Sequence, residues 1–276
     1  MNRIITAVII LPFLIASILI SWLQPLFVAL AAAAMVIALI EFWNLAKKRG
    51  INPVSTAGYL GAVALFVVFV FDEPGKSADT TFMIAAVLIV FTIGTLAGAT
   101  FRRAPFDTMI SSAGATILGV LYIVLLGGHL VAVRTGFRQQ LSAHLLSFFF
   151  LVIMGADTGA YYVGRAFGKH QLAPEISPGK TWEGVAGSVV AALLLATLSH
   201  FWFFQNLPLK LALSLAALMT ALGIIGDLTE SALKRSVGAK DAANILPGHG
   251  GVLDRLDSLL FNAPLIYYFG RIYFQQ

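Results

Sequence analysis

Asp254 and Asp257 stand three residues apart, so on a helix they share one face. Asp227 closes the apolar segment that comes before them. If the chain between folds back, three carboxylates converge near a membrane surface. Oxygen ligands of this kind suit Mg²⁺, which uses one or two carboxylates together with substrate phosphates. Lys234, Arg235 and Lys240 lie between and can neutralise phosphate charge. Gly248-His249-Gly250-Gly251 lets backbone amides approach an oxyanion closely. Carboxylates, cations, a histidine and a glycine nest are together what polyphosphate chemistry with a divalent metal requires. The stretch from Asp227 to Asp257 holds five of the thirteen acidic residues and four of the eighteen basic ones. A plain cluster of surface salt bridges, drawing on Lys240, Asp241, Asp254 and Arg255, is the competing account. Salt bridges need neither the glycines nor the histidine.

Further polar residues lie upstream. Asp157 falls deep in an apolar segment or near its end, and an acid there costs about 2.5–3.5 kcal/mol on insertion scales. It should face the bundle interior with a partner; a structural pair with Arg165 is the plain alternative. Glu41 is a second acid within an apolar segment, with Lys48 two helical turns on and on the same face. Gly179-Lys180-Thr181 tempts a P-loop assignment, but Pro174 stands where that motif needs glycine and no strand is expected before it. Ser177, Lys180 and Thr181 instead precede a helix starting near Trp182, where backbone amides and Lys180 would hold an anion. A capped helix with a snorkelling lysine is the bland version. His129, His144, His170 and His200 show no metal-ligand spacing and are expected at interfaces or in packing.

These residues must be held by a membrane bundle. Of 276 residues, 59% are hydrophobic and 11% charged, against about 25% charged in an average soluble domain. Cysteine is absent, which excludes disulfides and thiolate chemistry. The net charge of +5 is scattered over loops, which argues against nucleic acid as a partner. A crossing needs roughly 20 apolar residues. Nine segments qualify as candidates: Ile4–Leu23, Pro25–Ala46, Val54–Phe71, Thr81–Ala99, Met109–Val133, Leu145–Val163, Val185–Phe204, Leu207–Ile225 and Leu259–Phe274. The first is expected to be retained rather than cleaved as a signal peptide. With nine alternating crossings, thirteen Lys and Arg fall on one side and five on the other, which puts the N-terminus and the polar stretch in the cytoplasm. The expected fold is an all-α integral membrane protein, a polytopic bundle of about nine helices with its site at the cytoplasmic face. Residues 1–276 form one membrane domain, with 1–140 as scaffold and dimerisation surface and 141–276 carrying the motifs. Small residues such as Gly119, Gly127, Gly128, Gly184, Gly187 and Ser188 suit close helix packing.

One resemblance is specific. The run Ser231-x-Leu233-Lys234-Arg235, then Lys240-Asp241, then Leu246-Pro247-x-His249-Gly250-Gly251-Val252-x-Asp254-Arg255-Leu256-Asp257 resembles the signature of bacterial phosphatidate cytidylyltransferases, the CDP-diacylglycerol synthases. Asp157…Tyr161 and Ile176-Ser177-Pro178-x-Lys180-Thr181-Trp182-Glu183-Gly184 also resemble that family. Gly179 departs from it, standing where some members carry a second lysine.

The resemblance implies a reaction between phosphatidate and CTP that gives CDP-diacylglycerol and pyrophosphate, in phospholipid biosynthesis at the bacterial cytoplasmic membrane. It implies Mg²⁺, with room for a second cation, monovalent or divalent, and a homodimer in membrane lipid. Asp227 and Asp254, then Asp257, are the metal ligands it suggests, with Asp157 as a ligand or its positioner. Lys234, Arg235 and His249 join these aspartates in catalysis. Ser177, Lys180, Thr181, Lys240, Asp241, Gly250, Gly251 and Arg255 fall to substrate binding. Two other classes remain. A CTP-dependent kinase of polyprenols or dolichol would transfer the γ-phosphoryl group, and an ion-coupled transporter would gather its acids at mid-bilayer.

Overall fold

The computed structural model describes residues 2–73, 77–102, 107–239 and 251–274, with the side chains of 2–10, 77 and 78 left aside. Its helices are α1 (Asn2–Leu19), α2 (Gln24–Lys47), α3 (Ser55–Val70), α4 (Ser77–Thr100), α5 (Met109–Gly119), α6 (Leu126–Thr135), α7 (Gln139–Phe167), α8 (Trp182–Trp202), α9 (Leu209–Ser236) and α10 (Leu253–Phe274). A π-helical turn over Val120–Leu125 joins α5 to α6, so Met109–Thr135 is one continuous helix. Each of the nine predicted apolar segments lies on helix.

Six helices among the described residues are long and apolar enough to cross a membrane. The predicted crossings on α1, α3 and α10 are not among them. α3 has 16 residues, about 24 Å at 1.5 Å per residue, against a hydrocarbon core of about 30 Å. α10 opens with Asp254, Arg255 and Asp257 and carries Arg271 near its end, which shortens its apolar run. Large apolar side chains such as Phe82, Val90, Ile93, Leu194 and Phe201 stand exposed, as expected where lipid is the solvent. The protein is a helical membrane protein.

The core forms around Met109–Thr135, where Tyr122, Ile123 and Val131 pack with Leu39, Phe42 and Trp43 of α2 and Leu260 of α10. α7 lies against α8, α8 against α9, and α9 against α10. The α7–α8 crossing is close because two glycines face each other: a Cβ on Gly159 would lie 2.6 Å from the Gly187 carbonyl oxygen. That approach brings the Asp157 end of α7 beside the start of α8.

One short antiparallel hairpin departs from the all-helical expectation. β1 (Gln171–Ala173) pairs with β2 (Ser177–Thr181), with Ala173 opposite Ser177 and Gln171 opposite Thr181. Hence Ser177 and Lys180 sit on a strand, not on a capping loop. Thr181 alone makes the cap, its hydroxyl accepting from Gly184 N at 3.1 Å to start α8. Glu183 ties the hairpin down by accepting from the amides of Lys169 (3.1 Å) and His170 (3.2 Å) and by contacting His170 Nδ1 at 2.6 Å.

α9 stops in a Schellman turn. Gly238 takes φ +68°, Ala239 N donates to Lys234 O at 2.9 Å and Gly238 N donates to Arg235 O at 3.0 Å. The glycine ends the helix one turn after Lys234 and so fixes where the cations stand.

A second polar network lies near the other end of α10. Buried Asp72 accepts from Thr80 at 2.6 Å and from the Tyr267 hydroxyl at 2.9 Å, and it pairs with Arg271. Arg271 is seventeen residues from Asp254 on one helix, about 25 Å away.

Candidate active site

Four elements bring their polar side chains to one cavity of about 530 Å³. α7 supplies Asp157, β2 supplies Lys180 and Thr181, α9 supplies Asp227, and α10 supplies Asp254, Arg255 and Asp257. A larger groove of about 850 Å³ runs between α3 and α4, lined almost wholly by apolar side chains and without a carboxylate. Polar chemistry belongs to the smaller cavity.

Helical spacing on α9 explains its polar face. Asp227, Glu230 and Lys234 lie three and four residues apart and share one side. Lys234 Nζ meets Glu230 Oε2 at 2.6 Å and Asp254 Oδ1 at 2.7 Å, linking α9 to the first turn of α10. Asp254 Oδ2 accepts from Gly251 N at 2.7 Å, reaching back three residues as a capping-box acid does. Lys180 Nζ stands 2.5 Å from Asp227 Oδ2, an ion pair between β2 and α9.

The α9–α10 crossing sets the aspartates side by side. Gly226 lies against the Asp257 backbone, so Asp227 and Asp257 face the same space. Burial, and then the negative charge of Asp227, push the Asp257 carboxyl up to about 7. Burial also acts to raise Asp254, but hydrogen bonding with Glu230, Lys234 and the Gly251 amide outweighs it and holds this carboxyl below its usual range. The two acids of α10 therefore differ: Asp254 is a compensated anion, whereas Asp257 sits in an excess of negative charge.

That excess is what a cation relieves. Among the described residues no group of three His, Cys, Asp or Glu side chains has metal-ligand geometry. Mg²⁺ needs only one or two protein carboxylates, the rest coming from phosphates and water. Asp227 and Asp257 fit that demand, while both oxygens of Asp254 are engaged by Lys234 and Gly251.

Of the other predicted residues, Arg235 reaches away from the cavity and donates to Ile176 O at 3.2 Å, bracing the hairpin. Ser177 and Gly251 flank the cavity without lining it. Lys240, Asp241, His249 and Gly250 lie outside the described residues. Arg165 also lines the cavity, but its guanidinium donates to the Tyr161 hydroxyl at 2.9 Å. His129 and His200 bond to the carbonyls of Leu125 and Leu207 at 2.7 and 2.8 Å, in the packing role expected.

Two residues carry more than the sequence suggested. Glu230 is buried to 1% exposure, and its spacing of four from Lys234 was the available signal. Glu41, fully buried, accepts from Val252 N at 3.0 Å and Leu253 N at 2.8 Å, at the start of α10. No local pattern announces that partner, 211 residues away.

The sequence is similar to known proteins over most of its length. Residues 1–273 match the cytidylyltransferase family. A protein of Bacillus subtilis called phosphatidate cytidylyltransferase is 35% identical over 234 residues, covering 83% of this chain and 84% of that one. A protein of the same name from Staphylococcus haemolyticus is 33% identical over 233 residues, 84% of this chain and 86% of its own. One from Haemophilus influenzae, also so named, is 48% identical over 133 residues, 45% of each. A match across nearly the whole length, on a chain whose carboxylates and lysine meet in one cavity, places this protein in the cytidylyltransferase family.

Proposed function

We propose that this protein transfers the cytidylyl group of CTP to phosphatidate, giving CDP-diacylglycerol and pyrophosphate. The observation that carries the proposal is the meeting of Asp157, Lys180, Asp227, Asp254 and Asp257 around one cavity. The names of the relatives point to the same substrates.

The reaction sets one phosphate anion against another. An oxygen of the phosphatidate phosphate attacks the α-phosphorus of CTP, and the bond from that phosphorus to the β-phosphate bridge oxygen breaks as pyrophosphate leaves. That nucleophile is already ionised near neutral pH, so no strong base is needed. The protein's task is to hold the two groups in line and to mask charge. Lys180, released from Asp227, and Arg255 face the cavity and would hold the triphosphate. Lys234 keeps Asp254 in place and Arg235 braces the hairpin that carries Lys180. Asp227 and Asp257, with Asp254 beside them, would hold Mg²⁺, which when bound would offset phosphate charge and polarise the phosphoryl oxygens. Asp157 completes the acidic wall. By residue type, His249 is proposed to orient a phosphate or a metal-bound water, Lys240 to hold the triphosphate, and Asp241 and Gly250 to bind substrate.

We also propose nine crossings, the six long apolar helices together with α1, α3 and α10, the bilayer thinning where a helix is short. The N-terminus and the site are proposed to lie in the cytoplasm, supported by the division of Lys and Arg, thirteen to five. The acyl chains would enter from the bilayer. Residues 1–140 are proposed to carry a homodimer contact. The absence of cysteine makes orientation easy to test: single cysteines at Lys169 and Lys210 should be labelled by impermeant reagents only from the cytoplasmic and outer sides respectively.

The decisive experiment gives purified protein phosphatidate, Mg²⁺ and CTP labelled at either the α or the γ phosphate. Label from the α position should enter the lipid while pyrophosphate is released. Label from the γ position in lipid, with CDP released, would identify a lipid kinase and overturn the proposal.

A further inference from the structure

α2 belongs to the half of the chain expected to act as scaffold, yet it reaches the site through one side chain. Glu41 is fully buried, and each of its two oxygens accepts a backbone amide of the α10 start, Val252 N at 3.0 Å and Leu253 N at 2.8 Å. Those amides have no acceptor within the helix. A carboxylate offers an acceptor on each oxygen; an amide side chain offers one acceptor oxygen and a donor nitrogen. The negative charge also sits where the helix dipole favours it.

The residues that follow make this contact matter. Asp254 comes directly after Leu253, and its own Oδ2 accepts from Gly251 N. Arg255 N then closes onto Val252 O at 3.0 Å. The amides of residues 251, 252, 253 and 255 are thus all held, two of them by Glu41. The first turn of α10 is fixed in rotation and height relative to α2, and with it the direction of Asp254 and Asp257.

We infer that Glu41 is a positioning residue for Asp254 and Asp257, setting the register of α10 from outside the catalytic half of the chain. The inference rests on the proposed activity for its kinetic consequence but not for its geometry. A merely structural Glu41 would change stability and leave the cation response alone.

The test compares wild type with Glu41→Gln by amide exchange, by Mn²⁺ binding followed by electron paramagnetic resonance, and by steady-state kinetics at varied Mg²⁺. Met35→Ala, which thins α2 packing elsewhere, calibrates plain destabilisation. In Glu41→Gln the Val252 and Leu253 amides should exchange about tenfold faster, as loss of a cap allows. Mn²⁺ affinity should fall at least fivefold and kcat at least tenfold, with KM for CTP moving less than threefold at saturating metal. Met35→Ala should lower Tm without shifting Mn²⁺ affinity. If Glu41→Gln does not fold, Glu41→Asp, which keeps the charge on a shorter stem, takes its place with the same expectations. Wild-type Mn²⁺ affinity and kcat in a folded Glu41 variant, or unchanged exchange at Val252 and Leu253, would overturn the inference. A wild-type protein that makes no CDP-diacylglycerol would instead retire the proposed activity, and the exchange and Mn²⁺ measurements would still judge the positioning.

Discussion

Gly226 and Asp257 meet backbone to backbone, so closely that a Cβ on Gly226 would lie 2.5 Å from the Asp257 carbonyl oxygen. Neither atom can step aside alone, because each is held in its own helix. The contact sets the distance between α9 and α10, and with it the distance between Asp227 and Asp257.

Gly226→Ala should therefore force the two helices apart. Overpacking of this kind costs about 1–3 kcal/mol. A shift of about 1 Å at a catalytic constellation can cost about 10²-fold in rate. The expected result is a lower Tm and a fall of at least tenfold in kcat. Gly114→Ala on α5, where the added methyl would meet open space, should leave both within error of wild type or slightly raise Tm. Thermal melts and initial rates on the two variants decide it; equal behaviour would remove the Gly226 contact from the account.

What the sequence shows of this arrangement follows from what is local. Apolar runs betray helices because hydropathy is summed along the chain, and each predicted segment lies on one. Asp254 and Asp257 share a face because three residues is nearly one turn. The hairpin at Gln171–Thr181 stayed hidden, since strands of three and five residues with Pro178 and Gly179 inside carry no alternating pattern. Glu41 stayed unexplained for a different reason. Its partners are backbone amides, which every residue possesses, so nothing in residue type marks them. Nothing in the sequence around Glu230 marks it as buried, and it is the packing of α10 over α9 that encloses it.

Lys180 and Asp227 hold each other at 2.5 Å. Lys180→Met should leave the aspartates without that cation and the triphosphate without its lysine. Removing one preorganised charge of this kind costs about 10²–10³ in kcat. KM for CTP should rise as well, because the same lysine meets the ground-state triphosphate. Lys180→Arg should recover only part of the rate, its planar fork being a poor substitute for a point charge. A Lys180→Met protein with wild-type kcat/KM for CTP would take this residue out of the nucleotide site.

Asp257 gives a pH signature. Its carboxyl sits at about 7 in the folded protein, against about 3.9 in an unfolded chain. The folded state therefore binds this proton more tightly. The stability it contributes is fully present below about pH 4 and is lost as pH rises through 7. Without divalent cation, Tm of the wild type should fall between pH 5 and pH 8 by more than Tm of Asp257→Asn. Mg²⁺ added at pH 8 should recover the wild type and have little effect on the variant. Identical pH slopes for the two proteins would contradict the crowding of charge described here.

Lys234 sits between Glu230 and Asp254, at 2.6 and 2.7 Å, with its side chain 13% exposed and that of Glu230 1% exposed. Removing one partner of a buried ion pair leaves an uncompensated charge and costs about 3–5 kcal/mol. Lys234→Met should therefore lower Tm by several degrees and reduce expression. The loss has two parts, since Glu230 is stranded and Asp254 is freed to turn. Glu230→Gln in the same chain removes the stranded charge, so the double variant should regain much of the lost stability, a coupling that a double-mutant cycle measures. Activity should not return with it, because Asp254 still lacks the ammonium that holds its Oδ1. Stability and rate recovering together would mean that Lys234 acts only as counter-ion to Glu230; stability recovering alone would show that it also orients Asp254.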